Sequence, residues 1–215
     1  MASTLKVTNI STPDGTGNIT VDRPLSGSGA SLTNLPAGNL TGTLPAIDGS
    51  NLTGVSGGKL LQFVHVVKSD VFSTASTGWL DVTGMSVTTG ALASTGSKVL
   101  VTCVMHFAQS TNYTSFRIVD NSGSYLTGFV GDAAGSTRHR ASMGNWYKSA
   151  DGGSTVISNS SAHLYHTASS TSAQTYKLQV YNQSGTFYLN RSTSDTDNAS
   201  HARAVSSISA MEVGA

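Results

Sequence analysis

Gly54-Val55-Ser56-Gly57-Gly58 fits the G-x-S-x-G pattern, with which hydrolases expose a nucleophile on a sharp strand-to-helix turn. Here the serine lies in a glycine linker and no helical period follows it, so the pattern is read as a product of composition. His163 and His166 suggest a metal. Spaced by three they would share a helix face, but Leu164 and Tyr165 make the run strand-like, and a strand sends the two rings to opposite faces. A zinc site would need further ligands, from His139, His201 or a neighbouring chain, and the lone Cys103 falls at a buried strand position. Solvated or interface histidines are expected. Asp195-Thr196-Asp197-Asn198 offers oxygen ligands at calcium-like spacing, but the glycine turn and distal glutamate of a calcium hand are missing, and the only glutamate is Glu212. Ten of the eleven acids are aspartates scattered mainly through turns, so nothing points to the facing carboxylate pair of a glycosidase. Gly15/Gly17 and Gly27/Gly29 do not complete a dinucleotide fingerprint, and no βαβ context surrounds them. No catalytic residue, cofactor or metal is expected.

One concentrated positive patch remains. Thr137-Arg138-His139-Arg140-Ala141-Ser142 is followed by Trp146 and Tyr147. Guanidinium forks suit carboxylate, sulfate or phosphate, and aromatic faces suit sugars or apolar surface. Arg138, His139, Arg140, Trp146 and Tyr147 are therefore the expected receptor-binding residues. The plainer alternative is a solvated loop leading into a strand whose aromatics are core. Trp79 is expected in the core.

The elements that must carry these residues are strands. Val99, Val101, Cys103, Met105 and Phe107 point one way if Ser97 to Phe107 is extended, and Leu100, Thr102, Val104 and His106 point the other. Tyr176, Leu178 and Val180 alternate with Lys177, Gln179 and Tyr181. Phe187 and Leu189 follow the turn Asn182-Gln183-Ser184-Gly185, which reads as a hairpin. Further strands are expected over Leu60–Val67, Gly78–Thr83, Ser115–Asp120, Leu126–Val130, Asn145–Lys148, Val156–Asn159, Ala162–Thr167 and Ser206–Val213. No segment of about a dozen residues keeps a helical period. Many short strands with Gly, Asn and Ser turns indicate an all-β sandwich or barrel, and a jelly roll is the expected form.

The chain changes character near Gly57-Gly58. Both tryptophans and every tyrosine and phenylalanine come after that point. This predicts two parts: an arm over 1–57 and a head over 58–215. The arm carries an imperfect repeat, Ser31-Leu32-Thr33-Asn34-Leu35-Pro36-Ala37, then Asn39 to Ala46, then Asp48 to Val55. Its aliphatic residues are too sparse to offset the entropy of ordering a lone chain. Either the arm is disordered, or it winds with other chains so that Leu32, Leu35, Leu40, Leu44, Leu52 and Val55 meet on a shared axis. Periodic aliphatic residues favour the wound arrangement, because disordered linkers rarely keep them.

Charged residues make up 11% of the chain and the net charge is +1, so no basic stripe meets a phosphate backbone and nucleic acid is not an expected partner. With one cysteine, no disulfide framework forms within the chain. No stretch approaches the ~20 apolar residues of a membrane span. Met1-Ala2-Ser3-Thr4-Leu5-Lys6 opens no signal peptide, which predicts a protein made in the cytoplasm and not exported by a standard signal. The Asn-x-Ser/Thr sites, including Asn39 and Asn51, are read as a by-product of composition.

Leu5-Lys6-Val7-Thr8-Asn9-Ile10 and the Asp48 to Val55 unit resemble the N-terminal stems of tail-fibre proteins from marine and cyanobacterial tailed phages. Ser207-Ile208-Ser209-Ala210-Met211-Glu212-Val213 resembles the last strand of their β-sandwich heads, which are similar to the trimeric jelly rolls of the complement and tumour-necrosis-factor type. The resemblance covers both ends of the chain and the texture between them. It implies a homotrimer with an intertwined N-terminal stem that attaches to a docking protein of the virion, and a head that binds a host surface glycan or protein. The expected location is the virion tail. A capsid decoration or head-fibre protein is the alternative. A polysaccharide depolymerase and a cytosolic lectin stand behind it.

Overall fold

The computed structural model of the chain describes residues 12, 16, 59–110, 113–133, 135–147 and 153–214, with the backbone alone at 145–147. The arm over 1–57, with Leu32, Leu35, Leu40, Leu44, Leu52 and Val55, lies outside the described residues except for Thr12 and Thr16. The strands belong to the unit Val55–Ala215.

The described residues form an all-β fold of two antiparallel sheets. In chain order the strands are β1 (Leu60–Lys68), β2 (Phe72–Thr74), β3 (Gly78–Thr88), β4 (Lys98–Gln109), β5 (Tyr113–Val119), β6 (Met143–Tyr147), β7 (Ser158–Thr167), β8 (Thr175–Asn182), β9 (Phe187–Leu189) and β10 (Ser206–Val213). In the first sheet β7 lies along one edge of β4, and β10 and β9 lie end to end along the other. β1 pairs β10 and β2 pairs β9 in the same way. This sheet therefore has four columns: β1/β2, β10/β9, β4 and β7. The second sheet runs β3, β8, β5, β6. Numbered along the chain as eight columns, the first pairs the eighth, the second the seventh, the third the sixth and the fourth the fifth.

The alternation expected on β4 holds. Val99, Val101, Cys103 and Met105 are fully buried and Phe107 almost so, while the residues between them face outward. Ile208 and Ala210 of β10 and Tyr176, Leu178 and Val180 of β8 complete the two inner faces. Phe107 meets Phe116 edge-on at 4.7 Å and stacks on Phe187 at 6.0 Å, joining the sheets at one end. At the other end Phe129, buried in the β5–β6 connection, stacks on Tyr176 at 6.0 Å and meets His166 edge-on.

Three expectations about elements need correction. The run Tyr176 to Leu189 is not a hairpin: β8 belongs to one sheet and β9 to the other, so the turn at Asn182–Gly185 crosses between them. A hairpin and a crossing arch show the same alternation, and the sequence between them does not separate the two. The crossing is held by Asn182 Nδ2 donating to the Gly185 carbonyl at 2.7 Å and by Thr186 N–H donating to Ser110 Oγ at 2.7 Å. Leu126–Val130 is a turn, because Phe129 plugs the end of the core instead of continuing a ladder. The two strands expected over Val156–Asn159 and Ala162–Thr167 are largely one, β7, unbroken through Ser160 and Ser161.

β3 runs beyond its expected end through a bulge between Asp81 and Ser86. Gly84 there has φ +82°, and a Cβ would lie 3.2 Å from Lys68 Nζ. Bulges call for such a residue because the left-handed region is open to glycine at little cost.

Candidate functional site

The outer faces of the sandwich differ in chemistry. On the second sheet, register places Trp79 opposite Tyr181 and Asp81 opposite Gln179, with Ser115 and Arg117 of β5 completing the rows. Alternation directs these residues outward because Val180 and Phe116 of the adjacent row are buried on the inner face. Trp79 is thus not a core residue, which corrects the sequence expectation. It is half-buried on the outer face.

Arg117 organises this surface. Its side chain is buried, and its guanidinium lies 4.0 Å from the Trp79 ring centroid and 4.9 Å from that of Tyr125. Nε donates to Gln179 Oε1 at 2.7 Å and Nη1 to the Tyr125 hydroxyl at 2.9 Å. Burial lowers the Arg117 pKa, opposed by the Tyr125 phenol and the Asp81 carboxylate. The group stays charged, since an arginine starts far above neutrality. Asp81 accepts from Lys177 at 2.8 Å and from Gln179 at 2.6 Å. Partial burial raises its pKa, but those hydrogen bonds and the charges of Lys177 and Arg117 outweigh it and hold the carboxyl below its ordinary value. The acid on this face is therefore already matched.

The connection from β5 to β6 crosses above that surface. His139 meets Tyr181 edge-on at 3.9 Å and Trp79 at 5.8 Å. Arg140 donates from Nε to the Gly131 carbonyl at 2.8 Å, and its guanidinium lies 5.2 Å from the Tyr125 ring. Ser142 donates to the Phe129 carbonyl and accepts from Ile118 N–H, pinning the end of the loop to β5. Between loop and sheet is an open cavity of about 380 Å³. Tyr113 and Ser115 of β5, Tyr181 and Gln183 at the end of β8, and Thr137, Arg138 and His139 of the loop line it.

Of the residues expected at a receptor site, the structure brings Arg138 and His139 into one cavity and sets Arg140 on its flank. Trp146 and Tyr147 lie on β6, opposite Thr114 and Tyr113 in register, with side chains outside the described residues. Sequence reasoning missed Trp79, Arg117, Tyr113 and Tyr125. Alternation around Leu80 and Val82 carried the signal for Trp79, and the expectation that tryptophan is core overrode it. Arg117 and Tyr125 had no signal, because their contact depends on the turn at Asp120–Ser124 folding Tyr125 back beside β5.

The other groups singled out above fall elsewhere. His163 faces outward beside Thr102, and His166 faces inward, 2.9 Å from the Tyr176 hydroxyl, where burial lowers its pKa. Asp195 binds Arg203 at 2.7 Å and Arg191 at 3.3 Å. Burial pushes the Cys103 thiol up to about 12, so at neutral pH it packs as a small apolar group. Among the described residues no three His, Cys, Asp or Glu side chains are grouped to hold a metal. Set against known proteins, the chain matches no family model and no curated protein.

Proposed function

We propose that the chain is a homotrimeric adhesion protein of the virion-fibre kind, with a stem over 1–57 that docks to the virion and a jelly-roll head that binds a host surface. The pairing of columns first with eighth, second with seventh, third with sixth and fourth with fifth supports the jelly roll, which is a doubled Greek key folded back on itself.

The contrast between the two outer faces carries the reading. The first sheet presents an apolar row across all four columns: Phe63, Met211, Leu100 and Tyr165 stand in register. Phe63 is 52% and Tyr165 54% exposed, an unusual fate for aromatic residues in the middle of strands. Val67 and Val104 share a further row four residues along. Among the described residues no carboxylate points outward from the strands of this face. Four columns ~4.8 Å apart and ~30 Å long give a footprint of about 600 Å². Around a threefold axis three such faces offer about 1,800 Å² in all, which reaches the size of specific interfaces. One face thus suits other copies of the chain and leaves the aromatic–cationic face turned outward. Threefold repetition of a weak site then raises avidity by ~10²–10⁴.

The test is retention of labelled full-length chain on intact cells from a panel of marine bacteria and cyanobacteria. Saturable retention is expected, released by Tyr181→Ala or Trp79→Ala with the solution mass unchanged. Retention on no strain would overturn the adhesive reading, and retention indifferent to both substitutions would place the receptor contact on another surface.

A further inference from the structure

We infer that the cavity between the 131–142 loop and the second sheet binds an anionic sugar residue, a pyranose bearing a carboxylate or sulfate, with its charged group on Arg138. This deepens the adhesive reading and rests on it for the biological role, though not for the binding itself.

Arg138 is the starting observation. Arg117, Arg140, Arg191 and Arg203 are each tied to a carbonyl, carboxylate, amide or phenol. Among the described residues the Arg138 guanidinium alone has neither hydrogen bond nor ion pair, and it lines the cavity. An exposed guanidinium fork without a partner matches a carboxylate or sulfate through two parallel hydrogen bonds.

The surroundings favour an anion. The cavity lining consists of phenols, hydroxyls, one amide, one imidazole and one guanidinium, with no carboxylate. The nearby Asp81 is already matched by Lys177 and Gln179. Arg117 and Arg140 add positive charge behind the loop. The remaining chemistry is that of a sugar site: a volume of about 380 Å³ at the small end of the ligand-pocket range, two phenol rings for the pyranose face, and Thr137 and Gln183 to exchange hydrogen bonds with its hydroxyls. Tyr113 is 49% exposed at the rim, so the sugar can belong to a longer chain.

The experiment is calorimetric titration of the full-length protein at low salt. The probes are a galacturonic acid trisaccharide, the neutral galactose trisaccharide, a sulfated galactose trisaccharide and an oligo-aspartate peptide. One or both anionic sugars are expected to bind at least tenfold more tightly than the neutral one, and the difference between them identifies carboxylate or sulfate. Arg138→Gln should erase the preference for charge at an unchanged melting temperature, and Tyr181→Ala should abolish binding of every sugar. Neutral and anionic sugars binding alike, or the peptide binding while no sugar does, would overturn the inference. Either result leaves retention on cells free to succeed, so failure of this inference and failure of the adhesive reading are separate observations.

Discussion

Asn190 has φ +62°, the one positive value among the described non-glycine residues. It stands where β9 gives way to the 191–205 excursion and where β1 kinks into β2. Its fully buried side chain donates to the Lys68 carbonyl at 2.7 Å and the Asp70 carbonyl at 2.9 Å, and accepts from Ser206 Oγ at 2.6 Å. Asparagine tolerates the left-handed region while supplying two donors to a kink that no ladder can satisfy. Asn190→Gly should cost about 1–3 kcal/mol, because buried carbonyls lose their partners. Asn190→Ala should cost about 1 kcal/mol more, because its Cβ must enter the left-handed region. Chemical denaturation measures both, and equal losses would remove the backbone part of the account. Nothing in the sequence marks Asn190, since its role depends on strands far apart in the chain. Trp79 was legible through alternation, and Arg138, His139 and Arg140 through composition.

At the level of elements, period-two patterning on β4, β8 and β10 places the core faces correctly, because each of these strands lies between two others and buries one face. The patterning cannot say which sheet a strand joins, and so β8 and β9 read as a hairpin when they belong to opposite sheets. β2 has three residues, too few for a period to show. Glu212 illustrates a link between elements. Its carboxylate is buried on the inner face of β10, accepting from Gln62 of β1 at 2.6 Å and from Ala93 N–H at 2.8 Å. Burial raises its pKa, but the hydrogen bonds from Gln62, Ser97 and Ala93 outweigh that and hold it below its ordinary value of 4.5. A carboxyl bound more weakly to its proton in the folded state stabilises the fold above its unfolded pKa, and that stability is lost as pH falls through the folded pKa. Melting temperature should therefore drop as pH falls below 4.5 more steeply in the wild type than in Glu212→Gln. Parallel curves would show that Glu212 does not anchor the 90–97 loop through its charge.

For the whole molecule, the proposed adhesive role would turn the apolar row toward other copies and the aromatic, cationic cavity toward a host surface. The sandwich was legible because short alternating strands and turn residues leave few other folds. The cavity was half legible, since one loop supplied Arg138 and His139 while Tyr113 and Tyr181 came from strands brought together by pairing. The most direct test of the central claim is the solution mass of the full-length chain by light scattering. The account predicts three times 22.1 kDa, about 66 kDa, at micromolar concentration. A mass of 22.1 kDa would contradict it, leaving a monomeric sandwich whose apolar row has no partner among its own copies and whose cavity acts singly.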